Sequence, residues 1–115
     1  DEPLPERVDR MRASIQPQAT ADLIVLPELW PNGGFSYATW SATAEPLDGP
    51  TVTAMATAAA TAGTWLHMGP FVERHPDDSL TNTSVLFAPD GTIQANYRKI
   101  HLFGFGEGEP KLISA

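Results

Sequence analysis

Apolar residues recur at Leu4, Val8, Met11 and Ile15, three or four positions apart, with Arg7, Arg10 and Arg12 on other faces. That period predicts an amphipathic helix, and Pro17 marks its end because proline brings no amide donor to the next turn. The stretch Leu23-Ile24-Val25-Leu26 is apolar without interruption and too short for a helix. Branched and unbroken, it predicts a strand buried on both faces, as in α/β sheets. Residues 29–36 hold Pro31, Asn32 and the pair Gly33-Gly34, and predict a loop at that strand's carboxyl end. Gly49-Pro50 opens a second helical pattern with Val52, Met55, Ala56 and Ala59 as its stripe, closed by Gly63. Its alanines give high helix propensity and a thin face that can lie close to a sheet.

Residues 65–72 predict a further strand. A polar turn at His75-Pro76-Asp77-Asp78 leads to a strand over 81–87, and Pro89-Asp90-Gly91 joins it to 92–100 as a hairpin. The tail 103–110, with Gly104, Gly106 and Gly108, reads as a loop. The order is helix, strand, helix, then a run of strands, which is a mixed α/β pattern with an antiparallel part.

At 115 residues and 42% hydrophobic composition, the chain suits a single domain with a core. A net charge of −7 leaves no basic footprint for phosphate backbones, so nucleic acid is not an expected partner. No apolar run approaches the roughly 20 residues that cross a bilayer, so a membrane is not expected either. The absence of cysteine excludes disulfides, thiolate metal sites and a cysteine nucleophile within these residues, and a cytoplasmic location is the expectation.

Three ionic residues invite chemistry. Glu28 ends the buried strand, where ligand sites of α/β sheets collect. A carboxylate there is costly unless paired or used, although a solvated loop acid or a helix cap is the plainer reading. Alternation over 92–99 places Ile93, Ala95, Tyr97 and Lys99 on one face and Gln94, Asn96 and Arg98 on the other. Lys99 thus lies on the apolar face while Arg98 faces water; the plainer reading is a strand-end lysine that snorkels outward. Glu107, in the glycine-rich tail, is either a third ionic group or a loop acid. His67, His75 and His101 have no paired metal spacing and read as structural, so no metal is expected. The tail lacks the Lys-Ser/Thr ending of a phosphate loop. Among the tryptophans, Trp30 is the best candidate for a pocket wall beside Glu28.

These residues together carry a resemblance. Asp22-Leu23-Ile24-Val25-Leu26-Pro27-Glu28-Leu29-Trp30 resembles the first catalytic segment of the nitrilase superfamily, the carbon–nitrogen hydrolases. Tyr97-Arg98-Lys99-Ile100-His101-Leu102-Phe103 resembles its lysine segment, and Asn82-Thr83-Ser84 is similar to residues between the two. Glu107 falls where many members place a second glutamate. The resemblance implies an α-β-β-α sandwich, incomplete here, with residues 1–115 as the N-terminal part of a single hydrolase domain. It also implies catalytic roles for Glu28, Lys99 and Glu107, and makes Trp30 and Phe103 the candidates for substrate contact.

The family's nucleophile is a cysteine on a later strand–turn–helix elbow, so the expected function is a Glu-Lys-Cys amidohydrolase whose cysteine lies beyond this chain. The expected substrate is a small linear amide, as for an amidase or omega-amidase. No cofactor is implied, and the full-length protein is expected to form a homo-oligomer, a dimer or larger. Two other readings stay open: a non-catalytic scaffold or binding domain that keeps the fold, and a two-carboxylate hydrolase using Glu28 and Glu107, for example on a glycoside.

Overall fold

A computed structural model describes residues 2–34 and 36–101. The first helix, α1, runs Leu4–Ile15 and passes into a 3-10 turn at Gln16–Gln18, where Pro17 ends the α-helical ladder. Strand β1 is Leu23–Val25, followed by helix α2 at Tyr37–Thr43 and helix α3 at Pro50–Ala62. Strands β2 (Trp65–His67), β3 (Phe71–Arg74), β4 (Leu80–Phe87) and β5 (Ile93–Arg98) complete the order.

The five strands form one sheet. β1 pairs parallel with β2, which the intervening helices allow, and every other pairing is antiparallel. β4 carries β2 along Leu86 and Phe87, β3 along residues 80–83, and β5 beside it. α1 and α3 pack on one face. Val8 and Ile15 from α1 and Val52, Met55, Ala58 and Ala59 from α3 join Ile24, Leu66, Val85 and Phe87 in a common core. α1 and α3 make one helix layer on the sheet, two of the four layers that the resemblance implied, while Trp40 of α2 packs on Val72 and Leu80 on the other face.

Four details depart from the sequence expectations. The apolar run of β1 is covered on one face only: Ile24 and Leu26 are buried, whereas Leu23 and Val25 remain 51% and 63% exposed. The strand expected over 65–72 is broken at Gly69, whose φ of +74 lies outside the extended region. Helix α2 has no counterpart in the hydrophobic periodicity of the sequence. Its sequence, Tyr-Ala-Thr-Trp-Ser-Ala-Thr, holds few strong helix formers, and docking of Trp40 stabilises it more than propensity does. Finally, Arg98 does not point straight into water: half-buried, it reaches over the sheet to Glu73, which is 4% exposed.

Candidate active site

Glu28 stands at the carboxyl end of β1 on a tightly held stretch of backbone. The Leu26 amide donates to the His67 carbonyl at 2.9 Å, and the Leu29 amide donates to the Pro70 carbonyl at 2.8 Å, so Glu28 is fastened on both sides. Leu29 takes a φ of +53, unusual for a side chain with a Cβ, and is held there by burying its side chain with Trp40, Val72 and Leu80. Beyond it, Asn32 accepts from the Val72 amide at 2.9 Å and donates to Thr43. Arg7 of α1 donates to the Trp30 and Pro31 carbonyls. The loop is therefore pinned to the sheet, to α2 and to α1.

Lys99 follows β5 directly, and its amide continues the ladder by donating to the Asn82 carbonyl at 2.8 Å. Its Nζ lies 3.2 Å from Oε1 of Glu28. The two residues do not follow neighbouring strands, since β2 and β4 lie between β1 and β5. They meet because the chain after β1 turns across the break between β2 and β3. Asn82, from β4, completes the group with Nδ2 donating to the same Oε1 at 3.2 Å. The Glu28 and Lys99 side chains are 52% and 28% exposed, so the pair is more open than two catalytic groups in a sealed cavity would be. The alternation expected for β5 holds from Ala95 onward only. A register shift at Leu86/Phe87 pairs Ile93 with Phe87 and Ala95 with Leu86.

On the helix-covered side, next to the lysine in sequence, lies a second ionic group. Arg98 donates from Nε and Nη2 to the two oxygens of Glu73, each at 3.0 Å, and the Thr83 hydroxyl adds a bond at 2.7 Å. His75 Nε2 lies 3.7 Å from the same carboxylate and 2.8 Å from the Thr81 hydroxyl. Burial pushes the Glu73 carboxyl up, but the Arg98 and Thr83 hydrogen bonds and the Arg98 and His75 charges outweigh it and hold the carboxyl below its ordinary range. Arg98 is correspondingly raised, chiefly by its bond to Glu73.

The structure brings Glu28 and Lys99 together and adds Asn82, which no charge or metal signal had marked. Its place in Asn82-Thr83-Ser84, on the same strand face as Ser84 and Leu86, was the available clue. Trp30 is 8% exposed within the core, and its indole donates to the Met68 carbonyl at 2.7 Å. Phe103 and Glu107 lie outside the described residues. Among the described residues no cluster of three or more His, Asp or Glu could hold a metal, and no helix is long and apolar enough to cross a membrane.

Comparison with known proteins follows the same residues. The carbon-nitrogen hydrolase family matches residues 2–114. A 2-oxoglutaramate amidase of Paenarthrobacter nicotinovorans is 44% identical over 97% of this chain, and human omega-amidase NIT2 is 32% identical over 85% of it. The chain spans 39% and 36% of those two relatives' lengths. Among solved structures, XC1258 of Xanthomonas campestris, a CN-hydrolase superfamily protein with an arsenic adduct in its active site, superposes with a TM-score of 0.76 at 35% identity. The match covers 89% of this chain and 37% of that one. Yeast Nit3, of the nitrilase superfamily, shares the fold with a TM-score of 0.74 at 24% identity, over 88% of this chain and 40% of its own. The chain belongs to the carbon-nitrogen hydrolase family.

Proposed function

We propose that this chain supplies the general base and the oxyanion-stabilising cation of an amidase acting on small linear ω-amides of the 2-oxoglutaramate type. The observation that carries the reading is the Glu28–Lys99 pair at 3.2 Å, set on fastened backbone just past the carboxyl ends of β1 and β5. The substrate class comes from the relative named 2-oxoglutaramate amidase, at 44% identity. The nucleophile is a cysteine thiol outside residues 1–115, which makes this chain the N-terminal part of one hydrolase domain.

Glu28 accepts the thiol proton, and the thiolate forms a bond to the amide carbon. Negative charge moves to the amide oxygen, where the Lys99 ammonium stabilises it. Glu28 returns the proton to the nitrogen as the C–N bond breaks, and ammonia leaves a thioester behind. Glu28 then takes a proton from water, which attacks the thioester and releases the carboxylic acid and the thiol. Glu107 supports Lys99 or orients the substrate, and no cofactor enters. The whole protein works as a dimer or larger homo-oligomer.

The test is ammonia release from 2-oxoglutaramate by the whole protein, compared with Glu28→Gln and Lys99→Met. Loss of turnover by a factor on the order of 10² or more in both variants is expected. Unchanged turnover in Glu28→Gln would overturn the assignment, and no release from any linear amide would favour a non-catalytic domain.

A further inference from the structure

Asn82 carries an unusual pair of features. Its Nδ2 donates to Glu28 Oε1 at 3.2 Å, while its own Oδ1 is buried with no hydrogen-bond partner among the described residues. The residue is 4% exposed, so bulk water does not compensate the orphaned oxygen. A buried acceptor left unpaired loses its hydration without compensation and destabilises the fold. Turning the amide over would not relieve the cost, because Oδ1 would then face an ionised carboxylate. The fold itself does not ask for an amide here: Val72, the cross-strand neighbour of Asn82 on β3, is fully buried and apolar. Buried unsatisfied polar groups are rare in native structures and call for a specific explanation.

The geometry points to Asn82 as the positioning residue of the site, which with Lys99 holds Oε1 of Glu28 and so leaves Oε2 as the oxygen that transfers the proton. Lys99 Nζ and Asn82 Nδ2 both donate to Oε1, each at 3.2 Å. An oxygen that already accepts two hydrogen bonds is the poorer base, and the described residues offer no bond to Oε2. Asn82 also sets the lysine from the other end, since its carbonyl accepts the Lys99 amide at 2.8 Å. One residue of β4 therefore fixes the base through its side chain and the cation through its backbone. This inference rests on the proposed role of Glu28, but its structural part can be tested without turnover.

The experiment compares Asn82→Leu and Asn82→Ala in the whole protein. Leucine keeps much of the volume and removes the orphaned oxygen, so its thermal midpoint is expected to equal or exceed that of the unaltered protein. With the amide probe used above, kcat is expected to fall on the order of 10- to 100-fold while KM stays within about twofold, since the base is misplaced rather than the binding surface. Nuclear magnetic resonance gives the independent readout. The Asn82 side-chain amide protons, donated to a carboxylate, are expected to shift strongly in Glu28→Ala. Asn82 amide signals unmoved by Glu28→Ala would overturn the inference. So would a kcat that stays unchanged, or one that falls only in step with a lowered thermal midpoint in both variants. If the unaltered protein turns over no amide, the amidase reading fails, and the amide signal and the thermal midpoints still decide whether Asn82 holds Glu28.

Discussion

Gly69 adopts a φ of +74, and a Cβ built on it would stand 2.3 Å from the Pro27 carbonyl oxygen and 2.7 Å from that of Leu26. The backbone before Glu28 therefore passes where any side chain at 69 would be. Gly69→Ala combines left-handed strain with a clash against backbone that cannot step aside, and is expected to destabilise by upwards of about 2 kcal/mol. Chemical denaturation checks this; a loss under 0.5 kcal/mol, or about that, would mean the loop yields easily. Glu73 offers a second test at this scale. Its carboxyl is held below the ordinary value of 4.5, so its stabilisation is complete above that pH and is lost as pH falls through the lower folded value. Removing the partner reverses the sign. In Arg98→Leu the buried carboxylate has no bidentate partner, and the expected cost near neutrality is about 3 kcal/mol. Burial then disfavours the charged form, so this variant should recover stability relative to the unaltered protein as the pH is lowered toward 4.5. Parallel stability–pH curves for the two proteins would contradict that account.

At the scale of elements, α3 begins at a carboxylate that belongs to another segment. Glu45 accepts from the Thr51 amide at 2.8 Å and from the Thr51 hydroxyl, while its own backbone bonds to Val72 and Arg74 at the edge of β3. A negative group at a helix N-terminus satisfies an orphan donor and meets the positive end of the helix dipole. Glu45→Ala is expected to cost about 1 kcal/mol, read as a shift in the denaturation midpoint, with Glu45→Gln costing less. This cap is illegible in the sequence, because it joins positions whose link exists only after β3 and α3 have been placed. α1 and α3 were legible for the opposite reason: Leu4, Val8, Met11 and Ile15, or Pro50 and Gly63, are local signals that tertiary packing reinforces. Glu28 stands out because it ends an apolar run, and Lys99 because alternation places it on the apolar face of its strand. Alternation puts Arg98 on the solvent side, because alternation alone cannot tell which face carries a buried acid. Glu73, a carboxylate inside Phe71-Val72-Glu73 with Thr81 and Thr83 opposite, was the signal that could have corrected it.

For the molecule as a whole, α1 and α3 cover one face of the sheet, whereas the other is covered by Leu29 and Trp40 over Val72 and Leu80 and is open over β1, β2 and β5. Leu23, Val25, Trp65 and Tyr97 are 51%, 63%, 39% and 56% exposed, and the strand registers place them on the face opposite α1 and α3. Lys99, two residues beyond Tyr97, shares that face, and Glu28 and Asn82 meet it there. A layer placed over this surface would also close over the ionic pair and lower the dielectric around it. An open apolar face of this kind favours association with another copy when nothing else covers it. The 115-residue chain by itself is therefore expected to hydrolyse no amide and to self-associate in size-exclusion chromatography, increasingly so with concentration. Leu23→Lys combined with Val25→Lys places two like charges on the exposed face of β1 without touching the helix-side core, and should shift the chain toward monomer. A monomeric chain with a sharp cooperative unfolding transition, unaffected by the two lysines, would show that the open face is stable in water and would favour an autonomous binding domain over part of a hydrolase.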